Sequence, residues 1–179
     1  MEQNWRIYWS FLPDCSRWTD EEKRQFIIKI KMIVNSTWGK AFKIRVEGTS
    51  DFAKLHNENL FPVKFKINSS KACSHWEITV NKTLTSNTSQ SSVTWGSRKM
   101  DLYSDNIELE RKSSGKRQYV IAHEVGHGFG NLKDEYKILT RILFDRSSMM
   151  NHGMIRRRRH LDHILSEFNG LIPNTNFYL

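Results

Sequence analysis

Along the N-terminal half of the chain the hydrophobic spacing switches from strand-like to helical and back, which restricts the fold to a mixed layering of helices on a sheet. Trp5-Arg-Ile-Tyr-Trp-Ser-Phe-Leu12 is rich in aromatic and branched residues, ends at Pro13-Asp14, and reads as a strand. Thr19-Asp-Glu-Glu22 is a capping box, in which a hydroxyl and a carboxylate satisfy two orphan backbone donors. Apolar residues then recur at Phe26, Ile30, Ile33 and Trp38 until Gly39, so a helix follows the strand. Ala41–Val46, Val63–Ile67 and Trp76–Val80 each alternate apolar with polar residues, as half-buried strands do. Ser92–Trp95 or Lys99–Tyr103 is a fourth strand candidate. A second helix is predicted from Lys116 through Phe129, a third over Asp134 to Leu143, and a fourth over Arg157 to Phe168, with Leu161, Ile164, Leu165 and Phe168 on one face.

The length of 179 residues suits one domain. No apolar run approaches the roughly 18 residues of a membrane-spanning helix. Lys and Arg total 28 against 19 Asp and Glu, a net charge of +9 that favours anionic partners without choosing among them. Two cysteines, Cys15 and Cys73, allow one bridge or two free thiols and no disulfide framework. The N-terminus lacks a basic segment followed by an apolar one, so no secretory signal is expected. Thr83–Ser92, rich in Ser, Thr and Asn, reads as a surface loop.

The chemistry concentrates in His123-Glu124-Val125-Gly126-His127, an H-E-x-x-H pattern within the second predicted helix. With seven His in the chain, the bare pattern arises by accident in roughly one to two per cent of such compositions. Residues i and i+4 share one helical face, so both imidazoles can address one ion. Neutral imidazole is a good zinc ligand, and Glu124 lies where it can take a proton from water at the metal without being a ligand itself.

His123-Glu-Val-Gly-His127-Gly-Phe-Gly130 resembles the H-E-x-x-H-x-x-G core of the metzincin zinc metallopeptidases. In that clan the glycine turns the chain so that a third ligand, three residues on, returns to the zinc. Here that position is Lys133, whose ammonium has no lone pair to give. Related bacterial peptidases use Asp in a G-x-x-D-x-Y or G-x-x-D-E-Y context, and Asn131-Leu-Lys-Asp134 reads as that turn with one extra residue. Asp134 is therefore the first choice for third ligand, with Glu135, His152, His160 and Glu167 as rivals. Ser147-Ser-Met-Met-Asn-His-Gly153 resembles the clan's Met-turn, with Met149 or Met150 as the apolar floor beneath the metal. Gly153-Met-Ile-Arg-Arg-Arg-Arg-His160 resembles a segment of zinc-peptidase toxins delivered by bacteria, type VI secretion effectors among them.

The resemblance implies an α+β fold: a single zincin-like domain with a small mixed sheet, an N-terminal helix, a zinc-binding helix, a Met-turn and a C-terminal helix. Residues 1–130 would form an N-terminal subdomain with the sheet and the zinc helix, and 131–179 a C-terminal one. It implies a Zn2+-dependent endopeptidase acting on a protein or peptide, with Glu124 as general base and His160 as oxyanion stabiliser or ligand. As a delivered effector it would travel by a non-classical route, act in a target cell, and meet a delivery partner and an immunity or inhibitor protein. Two alternatives stand beside this. One is a basic binder of nucleic acid or anionic surfaces, motivated by the charge and by Arg156–Arg159, although no nucleic-acid-binding motif is present. The other is a degenerate peptidase, motivated by Lys133.

Overall fold

The computed structural model describes residues 2–13, 16–82, 90–137 and 144–179. Cys15, most of the Thr83–Ser92 stretch and the second half of the predicted Asp134–Leu143 helix lie outside them. Within them the chain is α+β, with four α-helices and a mixed sheet.

Strand β1 (Glu2–Leu12) leads to helix α1 (Asp20–Thr37). The capping box forms: the Thr19 hydroxyl accepts from the Glu22 amide at 3.1 Å, and the Glu22 carboxylate accepts from the Thr19 amide at 2.7 Å. Then come β2 (Lys43–Gly48), α2 (Asp51–His56), β3 (Phe61–Pro62), β4 (Lys64–Ser69), β5 (Trp76–Asn81), β6 (Ser92–Thr94) and β7 (Lys99–Tyr103). Both candidates for the fourth strand are thus strands, joined as an antiparallel pair.

The main sheet runs β4-β1-β5-β7-β6. Its first four strands are mutually parallel, and β6 is an antiparallel edge. Helix α1 and the helix α3 (Val120–Gly130) touch each other and this sheet. Trp5, Ile7, Phe65, Ile67, Trp76, Ile78, Met100 and Leu102 from the strands meet Phe26, Ile30, Ile33 and Val34 of α1 and Ile121, Ala122, Val125 and Phe129 of α3 in one core. Trp38, completely buried, joins the layers: its ring lies edge-on to Phe129 at 4.6 Å and its indole donates to the Ala122 carbonyl at 2.8 Å. A smaller antiparallel sheet, β10-β2-β3, includes the C-terminal strand β10 (Thr175–Tyr178).

Three sequence expectations change. The second helix does not begin near Lys116: β8 (Leu109–Arg111) and β9 (Arg117–Tyr119) form an antiparallel hairpin, and α3 starts only at Val120. The cause is Gln118, which is 2% exposed and donates from Nε2 toward the carbonyls of Met149, Asn151 and Gly153, at 2.8, 3.3 and 2.9 Å. Where the third helix was predicted, Glu135–Lys137 forms a short 3-10 turn. The fourth begins as a 3-10 turn, Arg158–Leu161, and becomes α-helical only over α4 (Asp162–Leu171). There the Arg157 amide donates to His160 Nδ1 at 3.2 Å, which tightens the first turn. Helix α2, the β8–β9 hairpin and β10 have no counterpart in the sequence reading. Among the described residues no helix is long and apolar enough to cross a membrane.

Candidate metal centre

Helix α3 can press against its neighbours through two of its three glycines. A Cβ at Gly128 would lie 2.7 Å from a Trp5 ring carbon, and one at Gly126 would lie 2.4 Å from the Met150 sulfur. Buried on both sides, the helix holds its two histidines in one orientation. His123 Nδ1 donates to the Met149 carbonyl at 2.9 Å, and His127 Nδ1 to the Leu132 carbonyl at 2.5 Å. A carbonyl only accepts, so in each neutral ring the lone pair sits on Nε2. The two Nε2 atoms face each other at 3.1 Å.

Asp134 closes the group. Its Oδ1 lies 3.0 Å from His123 Nε2 and 3.2 Å from His127 Nε2. With bonds of about 2.0–2.1 Å, a tetrahedral site separates neighbouring donors by about 3.3 Å, so two imidazole nitrogens and a carboxylate oxygen at these spacings suit a four-coordinate metal ion. Among the described residues, His123, His127 and Asp134 form a group that could hold a metal ion.

The turn that brings Asp134 round differs from the one expected. Gly130 is the last residue of α3 and has no positive φ; the left-handed residue is Asn131, at φ 47° and ψ 34°. Asparagine is among the few side chains that tolerate this conformation. The helix therefore runs one residue further than the H-E-x-x-H-x-x-G spacing implies. The return strand shifts by one residue, and Asp134 comes to the histidines where Lys133 would have come.

The rivals lie elsewhere. Both Glu135 oxygens are held by Arg159, at 2.7 and 2.9 Å, and the first also meets His160 Nε2 at 3.3 Å. His160 is 1% exposed, packs against Trp38, and directs Nε2 to Ser148 Oγ at 3.1 Å. Enclosed in this way, it neither joins the metal group nor faces the cleft, contrary to the expectation of a ligand or an oxyanion donor. His152 packs against Tyr136 with ring centres 5.6 Å apart, outside the group. Glu167 is exposed on α4.

Met149 and Met150 are both fully enclosed in a tight turn. Met149 gives its carbonyl to His123 and to Gln118, while Met150 gives its side chain to the back of α3 at Gly126 and its carbonyl to the Glu135 amide at 2.9 Å. Gly153 is required there, because a Cβ would lie 2.2 Å from the Ser147 carbonyl oxygen. Glu135 sits in a lattice of charge, since Arg159 also reaches Asp145 at 2.7 Å and Arg157 pairs with Asp145 at 2.6 Å. Burial works against ionisation of Glu135, but hydrogen bonds from His160, Arg159 and Ser148 outweigh it and hold the carboxyl at about 2.

Glu124 is 7% exposed and has no hydrogen-bond partner among the described residues. Burial raises its pKa above the ordinary carboxylate value, against the pull of the two histidines. It opens on a cleft of about 350 Å³ whose walls are Gln90 to Val93 with His123, Glu124, His127, Asp134 and Tyr136. The edge strand β6 thus borders the centre. Tyr136 stacks at 20° on the His123 ring, with centres 6.3 Å apart, and hydrogen-bonds Asp134. Burial, and then the Asp134 charge, push its phenol pKa up, so the group stays protonated. Nothing in the spacing of Gln118, Tyr136 or Ser148 marks these roles in the sequence. Comparison with family models, curated proteins and solved structures finds no match to this chain.

Proposed function

We propose that the protein is a zinc-dependent endopeptidase of metzincin-like type. The observation that carries this reading is the convergence of His123, His127 and Asp134 beside a buried carboxylate, Glu124, that no other described group satisfies. A cation at the three donors would act as a Lewis acid, polarising a peptide carbonyl and lowering the pKa of water. Glu124 accepts the proton of the attacking water on its carboxylate and returns it to the leaving amine; its raised pKa brings it closer to the neutral range where such exchange is efficient. Edge strand β6 offers unpaired backbone groups to an extended peptide, which would lie across the cleft by strand addition. Tyr136, stacked on His123 and donating its hydroxyl to Asp134, holds two of the three donors in position. The likeness of Gly153–His160 to delivered peptidase effectors supports placing the activity in a toxin.

Purified protein is expected to carry one zinc per chain. Asp134→Ala should weaken zinc binding by at least about 100-fold in competition with a chromophoric chelator, since loss of mere supporting contacts already costs 10–100-fold. Substoichiometric metal in the parent protein, or unchanged affinity in the variant, rules the centre out. Tyr136→Phe should weaken zinc binding by about 10–100-fold, the cost of losing a hydrogen bond that supports a ligand. Unchanged zinc affinity would remove that role.

A further inference from the structure

The cleft has a second lobe, and its chemistry opposes that of the chain as a whole. Beside the centre, sharing His123, Glu124 and Tyr136 with it, lies a cavity of about 480 Å³. Among the described residues its walls carry Asp105, Glu108, Glu110 and Glu124, and one basic residue, Lys112. In a chain of net charge +9, a cavity so composed is a local reversal of sign.

Two of the four carboxylates already have a cation. Glu108 pairs with Lys29 of α1 at 2.6 Å, and Glu110 with Lys112 at 2.7 Å. Asp105 accepts only the Asn106 side-chain amide, at 3.2 Å, and Glu124 is buried with no hydrogen-bond partner. The lobe thus has an unmatched negative field at both ends, one at the reaction centre and one on the rim. Of its described walls, Val120 is the only aliphatic one, so an apolar side chain entering it would desolvate carboxylates and gain little contact. An arginine or lysine has the opposite balance: its alkyl stem would lie along Val120 and Tyr136 while its charged head reaches Asp105, which has no cation of its own among the described residues.

Resting on the peptidase reading, we infer that this lobe is a specificity pocket for a basic residue, so that the substrates are polypeptides cut next to arginine or lysine. An arginine head can meet both oxygens of the Asp105 carboxylate at once, which an ammonium cannot, so arginine is the preferred occupant.

The test uses zinc-loaded full-length protein and two fluorescein-labelled peptides that differ only in arginine or glutamate at one position. Anisotropy titration reads binding, and digestion of a proteome-derived peptide library reads cleavage sites. The arginine peptide is expected to bind at least tenfold more tightly, and arginine and lysine to be enriched at one position flanking the cut. In the double variant Asp105→Lys, Glu110→Lys the arginine-to-glutamate ratio should fall at least tenfold, whereas Glu58→Lys, an exposed change remote from the cavity, should leave the ratio as it was. Equal affinity for the two peptides, cleavage sites without basic enrichment, or an equal response to the remote change overturns the inference. Arginine-selective binding that vanishes in the double variant, in a protein that cuts nothing, keeps the pocket and removes the peptidase reading.

Discussion

Glu124→Gln is expected to reduce peptide hydrolysis by about 10²–10⁴-fold while the protein keeps its metal, because the substitution removes a proton acceptor and leaves the three donors in place. The side chain makes no hydrogen bond among the described residues that the amide would forfeit, and it is buried, so removing its charge should leave stability equal or slightly higher. Loss of activity with intact fold and metal content is therefore the discriminating pattern. Cleavage within threefold of the parent by a zinc-replete variant would falsify the assignment of Glu124 as the base. Loss of metal together with activity would instead mean that Glu124 helps to hold the ion.

Arg159→Met should destabilise the protein by about 3 kcal/mol at neutral pH, since it leaves Glu135, whose side chain is 6% exposed, without its cation. The effect carries a pH signature. The Glu135 carboxyl is depressed in the folded protein, from 4.5 to about 2. A depressed acid contributes stability that is complete above its unfolded value and is lost as the pH falls through the folded one. Without Arg159 the carboxyl is less depressed, so the variant loses less on acidification. The gap between parent and variant should narrow from pH 4.5 toward 2, as chemical denaturation at neutral pH and near pH 3 would show. A gap of constant size would mean that the guanidinium acts through packing alone.

The sequence carried the parts of the fold that depend on local period and capping. The Thr19–Glu22 box and the spacing of Phe26, Ile30 and Ile33 located α1, a run of aromatic and branched residues located β1, and alternation located β2, β4 and β5. The pairing of His123 with His127 was legible for the same reason, as one turn of helix sets it. What escaped depends on contacts made from afar. Gln118 reads as a polar helix residue until the loop around Met149 supplies three carbonyls for its amide. His160 reads as an oxyanion stabiliser or a ligand until Glu135, Ser148 and Trp38 close around it. The approach of Asp134 turns on the left-handed backbone of Asn131, a property of one residue that no periodicity records.

The hydrogen bonds around Met149 and Met150 tie the centre to the C-terminal third of the chain. One carbonyl aims His123, the next anchors the segment that delivers Asp134, and both belong to a turn stapled to β9 through Gln118. An ion seated at the three donors would therefore act as a clasp between α3 and the segment that follows it. Loading would raise thermal resistance and slow amide exchange in the tail, and stripping would loosen first the region that contributes the fewest strands.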